Sequence, residues 1–239
     1  MTEPLLTQDT TTPTPLRAEG VTVRYHTPSG TVTALHDITL AIPRGRLTVL
    51  AGPSGSGKST LLRILGLLER PTTGTVHLDG QPVSNHNHRT LRALRRRHVV
   101  TLFQNPADNL LDYLTVADNL TAAAQLAGHH TPPPDLLDRL GLAGTAHQRT
   151  HALSGGQKQR LALACALATG ARIVLADEPT SQLDPASAHL VFDSLTRLVE
   201  WGTTVVATSH DPDLIALGHT VARLRDGELV DITHTGAQS

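Results

Sequence analysis

Residues Gly52–Ser59, with the sequence GPSGSGKS, combine a glycine-rich turn with a lysine and a serine at the spacing G-x-x-x-x-G-K-[ST]. An apolar strand pattern, Leu47–Ala51, precedes this turn, and a helical pattern, Lys58–Leu68, follows it. Glycines allow successive backbone N–H groups to point at phosphate oxygens, and the helix N-terminus favours the same anion. Lys58 adds a charge for the β- and γ-phosphates, and Ser59 adds a hydroxyl ligand for Mg²⁺. The stretch therefore predicts a nucleoside triphosphate site in preference to a ligand-free strand-to-helix turn.

A second apolar strand pattern, Ile173–Asp177, ends in the carboxylate of Asp177 and is followed by that of Glu178. Ligands of open α/β sheets bind at the carboxyl ends of the strands, so we expect Asp177 near the phosphates, where it can hold Mg²⁺. Glu178 comes next and should point in a different direction, which makes it the candidate general base for an attacking water. A pair of solvated loop acids is the alternative, and the phosphate-binding stretch in the same chain argues against it.

Composition limits the classes of protein to which the chain can belong. Hydrophobic residues make up 39% of the 239 residues, enough for a large core, and the formal net charge of −1 argues against bulk electrostatic binding of nucleic acid. A single cysteine, Cys165, excludes an internal disulfide. No apolar run reaches the roughly 20 residues of a membrane span, and Met1–Pro15 does not resemble a signal peptide. We expect one domain at 16–232 between disordered tails at 1–15 and 233–239.

Strand and helix patterns alternate along most of the chain and imply a mostly parallel sheet. Strands are predicted at Val21–Tyr25, within Val32–Ile42, and at Leu47–Ala51, Val76–Leu78, Val99–Phe103, Ile173–Asp177, Thr204–Thr208, Val221–Arg225 and Glu228–Ile232. Helices are predicted at Lys58–Leu68, Thr90–Arg97, Val116–Ala127, Pro134–Leu140, Gly156–Thr169, Pro185–Trp201 and Asp213–Leu217. The helices within about 105–169 interrupt the alternation, and we predict that they form a helical insert.

The pentapeptide Leu153–Gln157, LSGGQ, lies shortly before the acidic strand and matches the signature of ABC ATPases in full. Together with the Walker A loop at Gly52–Ser59 and the Walker B strand at Ile173–Asp177, it identifies the chain as resembling the ATP-binding subunits of ABC transporters over roughly Leu16–Ile232. The resemblance implies an α/β P-loop NTPase fold. In that fold a mostly parallel sheet core carries an antiparallel β subdomain and an inserted α-helical subdomain.

The resemblance also implies roles for individual residues. The ATP-binding set would be Tyr25, Gly52, Pro53, Ser54, Gly55, Ser56, Gly57, Lys58, Ser59, Thr60, Ser154, Gly155, Gly156 and Gln157. Tyr25 resembles the aromatic residue that stacks on adenine, and Gln104 resembles the Q-loop glutamine that touches Mg²⁺ and senses the transporter. His210 resembles the switch histidine at the γ-phosphate, and Glu178, His210 and Gln104 would form the catalytic group. Ser59, Gln104 and Asp177 would hold Mg²⁺. The family's D-loop has the sequence Ser-Ala-Leu-Asp. This chain has Ser181–Asp184 at that position, with Gln182 in place of the alanine. In the family this loop contacts the second subunit, so the difference bears on contacts between subunits.

Two partners follow from the same resemblance. In this family the signature faces the γ-phosphate of ATP bound to a second copy, so two chains would pack head to tail around two ATP molecules and hydrolysis would release them. A membrane-embedded permease would hold the chain at the cytoplasmic face of the cell membrane and would contact the cargo in its place. The segment Leu110–Leu120 resembles subunits of macrolide-exporter and lipoprotein-release systems, although import subunits share much of it.

Other functions are weaker interpretations of the same residues. An ABC-type ATPase of cluster assembly, not coupled to transport, is the principal alternative, and a scaffold that binds nucleotide without hydrolysis is opposed by Glu178 and His210. Metal binding by the histidines of Asn85–His88 and His129–His130 is not predicted, because no carboxylate or cysteine accompanies them. The arginines within 89–97 fit a solvated helix face better than a nucleic-acid site, because no aromatic residues alternate with them.

Substitution of Lys58 by alanine is predicted to abolish tight ATP binding, because the loop then keeps only backbone donors for the phosphates. Titration with a fluorescent ATP analogue would measure the change. An unchanged affinity would show that the loop is not the nucleotide site.

Overall fold

A computed structural model describes residues 14–28, 30–128, 131–133 and 135–235. The strands are β1 (Leu16–Thr27), β2 (Gly30–Ile42), β3 (Leu47–Ala51), β4 (Thr73–Leu78), β5 (Gln81–Pro82), β6 (Val99–Leu102), β7 (Ile173–Ala176), β8 (Thr204–Ser209), β9 (Thr220–Arg225) and β10 (Glu228–His234). The helices are α1 (Lys58–Leu65), α2 (His88–His98), α3 (Val116–Leu126), α4 (Leu136–Arg139), α5 (Gly155–Ala168), α6 (Pro185–Glu200) and α7 (Pro212–Leu217). Short 3₁₀ turns occupy Pro106–Asn109 and Thr150–Ala152.

The strands form two sheets. One is antiparallel, in the order β2-β1-β4-β5, and the other has the order β10-β9-β3-β8-β7-β6. In the larger sheet β9, β3, β8, β7 and β6 are parallel neighbours, and β10 adds an antiparallel edge. This topology confirms the prediction of a mostly parallel core with a separate antiparallel sheet.

The central strands are apolar on both faces because both faces of the larger sheet are covered. Val174 and Ala176 of β7 belong to a core shared with α3, α5 and α6. The alternate residues, Ile173 and Leu175, belong to a second core shared with α1 and the antiparallel sheet. Successive side chains of a strand point to opposite faces. The short apolar strand β7 therefore contributes to both cores and is buried between them.

Helices α3, α4 and α5 lie between β6 and β7, within the predicted helical insert. Both α3 and α5 begin with a capping box, formed by Thr115 with Asp118 and by Ser154 with Gln157, which satisfies backbone N–H groups at the helix start. Helix α5 is buried around most of its circumference and carries Cys165, whose burial raises the pKa of the thiol to about 12. The thiol therefore stays protonated as a core group, as its position in an apolar helix predicts.

Several boundaries differ from the sequence predictions because strand pairing extends the elements. Strand β1 runs over Leu16–Thr27, well beyond the predicted Val21–Tyr25, since it pairs with β2 on one side and β4 on the other. Strand β10 continues to His234, two residues into the predicted tail, because Thr233 and His234 pair with β9. The two-residue strand β5 has no periodic pattern and was not predicted.

Parts of some predictions fall outside the described residues. These parts are residues 1–13 and 236–239 of the predicted tails, Ser29 of the turn after β1, His129 and His130, and Pro134 at the predicted start of a helix that begins at Leu136. Among the residues that are described, no helix combines the length and the apolar character needed to cross a membrane.

A polar cluster joins the two sheets at the edge where β7 begins. Asp79, in the turn between β4 and β5, accepts hydrogen bonds from Arg44 at 2.7 Å and from Arg172 at 3.0 Å. The same Arg172 nitrogen lies 2.6 Å from Nδ1 of His98, at the end of α2. Burial, and then the Arg172 charge, lower the pKa of His98. Neutral His98 is therefore part of the contact between the sheets.

Replacement of His98 by glutamine is predicted to make stability less dependent on pH. Because the folded pKa of His98 lies below its unfolded value of about 6.5, its contribution is present above that value and is lost as the pH falls through the folded pKa. We expect the urea midpoint of the parent to fall between about pH 7.5 and about pH 5.5, and that of H98Q to fall less. Replacement of exposed His151 by glutamine is the control. Equal pH dependence in H98Q and the parent would contradict the assignment.

Candidate functional site

The phosphate loop lies between the end of β3 and the start of α1. Its first and last motif glycines have positive φ, 152° for Gly52 and 98° for Gly57. A Cβ atom would lie 2.2 Å from the Leu224 carbonyl oxygen at Gly52 and 2.7 Å from a Leu35 methyl group at Gly57, so only glycine fits at either position. Pro53, Ser54 and Gly55 are exposed at the tip of the loop, and Ser56 is buried beneath it. Gly57 caps α1 without a side-chain hydrogen bond, which leaves the first N–H groups of the helix open to an anion.

Lys58 is curled back into the loop. Its ammonium group donates to the carbonyl oxygens of Gly52 and Pro53, both at 2.9 Å, and the side chain is only 4% exposed. A carboxylate oxygen of Glu178 lies 3.9 Å away. The ammonium group is thus held at the loop, where it can bind negatively charged phosphates.

Two oxygens suited to a magnesium ion meet beside the loop. The Ser59 hydroxyl donates to Oδ1 of Asp177 at 2.9 Å, although the two residues come from motifs far apart in the chain. Hydroxyl and carboxylate oxygens are the donor type that Mg²⁺ prefers, and nucleotide phosphates usually complete its octahedron. No group of three or more His, Cys, Asp and Glu residues could hold a metal ion in the described part of the chain. The pair therefore fits Mg²⁺ that arrives with a nucleotide.

Glu178 and His210 lie on the same rim of the sheet. Glu178 has φ of 42°, in the left-handed region that costs energy for a residue with a side chain. Its carboxylate lies 3.7 Å from Nδ1 of His210, which is 67% exposed, and also approaches Lys58. A cleft formed by Glu178, Thr180, Ser181, Ser209, His210 and Asp211 opens here. The structure thus brings the predicted general base and the predicted switch histidine together at the phosphate loop.

Gln104 reaches this rim from the end of β6. Its side-chain amide donates to the Ser181 hydroxyl at 3.1 Å, and that hydroxyl donates to the Glu178 carbonyl oxygen at 3.1 Å. The side chain therefore contacts the D-loop, and none of its hydrogen bonds joins the pair formed by Ser59 and Asp177. That Gln104 touches Mg²⁺ stays a prediction.

Thr208 is a site residue that sequence reasoning missed. It is fully buried at the end of β8, and its hydroxyl donates to Oδ1 of Asp177 at 2.7 Å while it accepts the N–H group of Glu178 at 2.7 Å. One hydroxyl thus holds both acidic residues in position. The only signal for this role was the place of Thr208 just before His210, because the sequence does not reveal that β8 lies beside β7.

Tyr25 lies beside Thr60, in the first turn of α1. Burial raises the pKa of the Tyr25 phenol, and hydrogen bonds to Glu69 and Thr60 add opposing smaller effects. The ring is half-buried at the end of β1 and packs partly on the second core. This position places an aromatic side chain near the helix that follows the phosphate loop, and adenine stacking on it stays a prediction.

The signature turn faces a different part of the chain. Ser154 and Gln157 are engaged in the capping box of α5, where the Gln157 side chain accepts the Ser154 N–H group at 2.9 Å. A Cβ atom on Gly155 would lie 3.2 Å from Leu183, and one on Gly156 would lie 3.0 Å from Ser187. No described hydrogen bond links residues 153–157 to the phosphate loop of the same chain. The predicted ATP-binding set is therefore divided between two places.

Comparison with known proteins agrees with this geometry. Residues 35–181 match a family model described as ABC transporter. The chain is 41% identical over 93% of its length to the macrolide export ATP-binding/permease protein MacB 1/2 of Paracoccus denitrificans. It is also 41% identical over 90% of its length to MacB of Chromobacterium violaceum. The chain spans 34% of the length of each of these relatives, so it matches about a third of them.

Solved structures extend the likeness to the fold. The dimeric ATP-binding cassette MJ0796, in a post-hydrolysis state bound to ADP and Pi, has a TM-score of 0.80 and 31% identity, covering 92% of this chain and 99% of that one. A second structure, the dimeric bacterial ABC transporter cassette MJ0796, has a TM-score of 0.81 and 32% identity over the same shares of each chain.

Replacement of Thr208 by valine is predicted to impair both stability and catalysis. Valine keeps the branched shape but leaves the part-buried N–H group of Glu178 without its partner, which costs about 1–3 kcal/mol of unfolding free energy. Misplacement of Asp177 and Glu178 should lower kcat by about tenfold or more. Replacement by serine, which keeps the hydroxyl, is the matched control and should stay close to the parent. Equal kcat in the valine variant and the parent would exclude the bridging role.

Proposed function

The chain belongs to the ABC transporter family as an ATP-binding, ATP-hydrolysing cassette, and we propose that it powers a membrane permease of the export type as an ATP-bound head-to-tail dimer. The observation that carries this proposal is the convergence of Lys58, Glu178 and the pair of Ser59 and Asp177 at one rim of the sheet. These groups supply a phosphate-binding charge, a candidate base and two oxygen ligands within one site.

The roles of these residues follow from their chemistry. The N–H groups of the loop and Lys58 would bind the β- and γ-phosphates, and Ser59 and Asp177 would hold Mg²⁺, which when bound neutralises charge on the phosphate oxygens. The Glu178 carboxylate would accept a proton from the attacking water. The water oxygen then bonds to the γ-phosphorus as the bond to the ADP oxygen breaks.

The strained backbone of Glu178 has a use in this reaction. A residue following a strand would normally continue its alternation, but the left-handed φ of 42° turns the carboxylate toward Lys58 and His210. The Thr208 hydroxyl holds this conformation through the Glu178 N–H group. We infer that these contacts position the base, and that His210, which is mostly exposed, can contact the γ-phosphate.

A second copy of the chain would complete the site. The signature turn faces the segment Ser181–Ser187 in its own chain, and its exposed residues Ser154 and Gly155 remain available to another molecule. A helix N-terminus with exposed backbone N–H groups suits an anion. The dimeric MJ0796 structures support association of two copies, and we propose that this turn covers ATP on the opposite copy.

A permease is the proposed membrane partner, and the contact surface lies next to Gln104. Phe103, Leu111 and Tyr113 are exposed where the helical insert begins, and Tyr113 is 64% exposed. Gln104 connects this surface through Ser181 to Glu178, so movement of a docked permease can reach the base. The named relatives are export proteins with ATP-binding and permease parts, which supports export and a membrane partner. We propose that the permease holds this chain at the cytoplasmic face of the membrane and contacts the cargo in its place.

Replacement of Glu178 by glutamine is predicted to trap the dimer. Glutamine keeps the size of the side chain but cannot accept the proton, so hydrolysis should fall by roughly a hundredfold or more while ATP still binds. The variant should then elute as a dimer with MgATP and as a monomer without it in sizing chromatography. A monomer at high protein concentration with ATP would contradict the proposed sandwich for the isolated chain.

The addition of Ser154→Arg to this variant should abolish the ATP-dependent dimer, because the arginine blocks the surface that covers the opposite nucleotide. The matched control is Thr115→Arg, which removes an equivalent capping box from α3. If both changes disrupt the dimer equally, loss of the helix cap is responsible. If neither does, Ser154 does not act on the second copy.

A further inference from the structure

The turn between β9 and β10 packs against the phosphate loop, although the two segments are far apart in the chain. Strand β9 pairs in parallel with β3, with Arg223 opposite Ala51. The two strands therefore end at nearly the same level, and the residues that follow them meet. In the turn, the N–H group of Gly227 donates to the carbonyl oxygen of Ser56 in the loop at 3.2 Å. This hydrogen bond joins the hairpin to the nucleotide site.

The peptide unit between Ser56 and Gly57 is oriented by this hydrogen bond. In a trans peptide such as this one, the carbonyl oxygen and the following N–H group lie in one plane and point in opposite directions. Because the Ser56 oxygen points at Gly227, the Gly57 N–H group points away from the turn. No hydrogen bond in the described part of the chain uses that N–H group. It lies at the N-terminus of α1, where open N–H groups and the helix dipole favour an anion.

The turn is anchored to the antiparallel sheet as well as to the loop. The carbonyl oxygen of Gly227 accepts the N–H group of His36, in β2, at 2.8 Å, and the Glu228 carboxylate lies 3.2 Å from Nδ1 of His36. Gly227 has φ of 80°, and a Cβ atom there would lie 2.8 Å from the carbonyl oxygen of Ala34. A Cβ atom on Gly57 would lie 3.6 Å from the Gly227 Cα atom. The turn therefore fits between β2 and the loop only as glycine backbone.

We propose that Gly227 is a positioning residue of the nucleotide site, whose N–H group holds the Ser56 carbonyl so that the Gly57 N–H group faces the phosphates of ATP. The inference rests on the proposed phosphate-binding role of the loop and adds to it a residue outside the phosphate loop, the acidic strand and the signature. A glycine-rich loop loses conformational entropy when it orders around an anion. The turn restricts one peptide unit of the loop and so lowers this cost of binding.

Two alanine substitutions separate displacement of the turn from backbone strain. Gly227→Ala must move the turn away from Ala34, and with it the donor to Ser56. Gly80→Ala is the matched control, because the Asp79–Gly80 turn has φ of 47° and 78° where Asp226–Gly227 has 50° and 80°. No described atom lies within 4 Å of a Cβ atom on Gly80. Both variants carry similar strain, and only Gly227→Ala disturbs the loop.

Affinity for two probes, MgATP and inorganic tripolyphosphate, measures the effect. We expect Gly227→Ala to raise the dissociation constants of both probes by about tenfold or more, as for loss of a hydrogen bond to a charged group. The two probes should be affected by a similar factor, because the affected donor faces phosphate and not adenine. Gly80→Ala should stay within about threefold of the parent for both, although thermal denaturation should show a lower Tm for each variant.

A backbone ester tests the hydrogen bond itself and decides the question if Gly227→Ala does not fold. Incorporation of glycolic acid in place of Gly227 removes the N–H group and adds no atom that could clash. The same replacement at Gly80, whose N–H group makes no described hydrogen bond, is the control. We expect the ester at position 227 to weaken binding of both probes by about tenfold and the ester at position 80 to leave it within about threefold of the parent.

Unchanged affinity in the variants at position 227 would overturn the proposal. Equal weakening by the changes at positions 80 and 227 would overturn it too, since strain alone would then explain the loss, and so would weaker binding of ATP without weaker binding of tripolyphosphate. Lys58→Ala separates this inference from the proposed function. If Lys58→Ala leaves tripolyphosphate binding unchanged, the loop is not the phosphate site and both fail. If it abolishes binding while the variants at position 227 bind normally, only the role of Gly227 fails.

Discussion

The parallel pairing of β7 with β8, and of β8 with β3, is the constraint on which the site depends. In this register Ala176 lies opposite Ala207, and Ala51 lies opposite Ser209, so the three strands end at nearly the same level. The residues that follow them are the phosphate loop, the two acids and His210. Because parallel strands place their carboxyl ends on one rim, the sheet assembles a site from segments that are far apart in the chain.

Burial of these apolar strands stabilises the fold and offsets unfavourable local features at the rim. The strands β3, β7 and β8 are buried along their whole length and contribute to both cores. The rim itself contains unfavourable local features: positive φ at Glu178, a buried ammonium group at Lys58, and loop glycines that cannot carry side chains. Such features persist only where the surrounding structure determines them. Here Thr208 is the direct link, since it is buried in β8 and bonds to both acids.

The helical insert carries the signature turn at the N-terminus of α5, and no described hydrogen bond joins this turn to the phosphate loop of the same chain. The turn packs on the segment after the acidic strand. The phosphate loop carries its own positive charge at Lys58, on the rim of the sheet, with the Glu178 carboxylate 3.9 Å away. One surface of the chain binds a nucleotide, and another carries a helix N-terminus that favours an anion. Two copies packed head to tail would bring these surfaces together.

The sequence alone determined the phosphate loop, the acidic strand, the signature and the order of strands and helices, because each is written in the type and spacing of neighbouring residues. The mostly parallel sheet followed from that order. Only the tertiary structure decided that Thr208 bridges Asp177 and Glu178, that Gln104 contacts Ser181, and that β1 and β10 extend as far as their partners. Hydrogen bonds and burial of this kind join segments distant in the chain, so they depend on which strands become neighbours, and no local pattern records that choice.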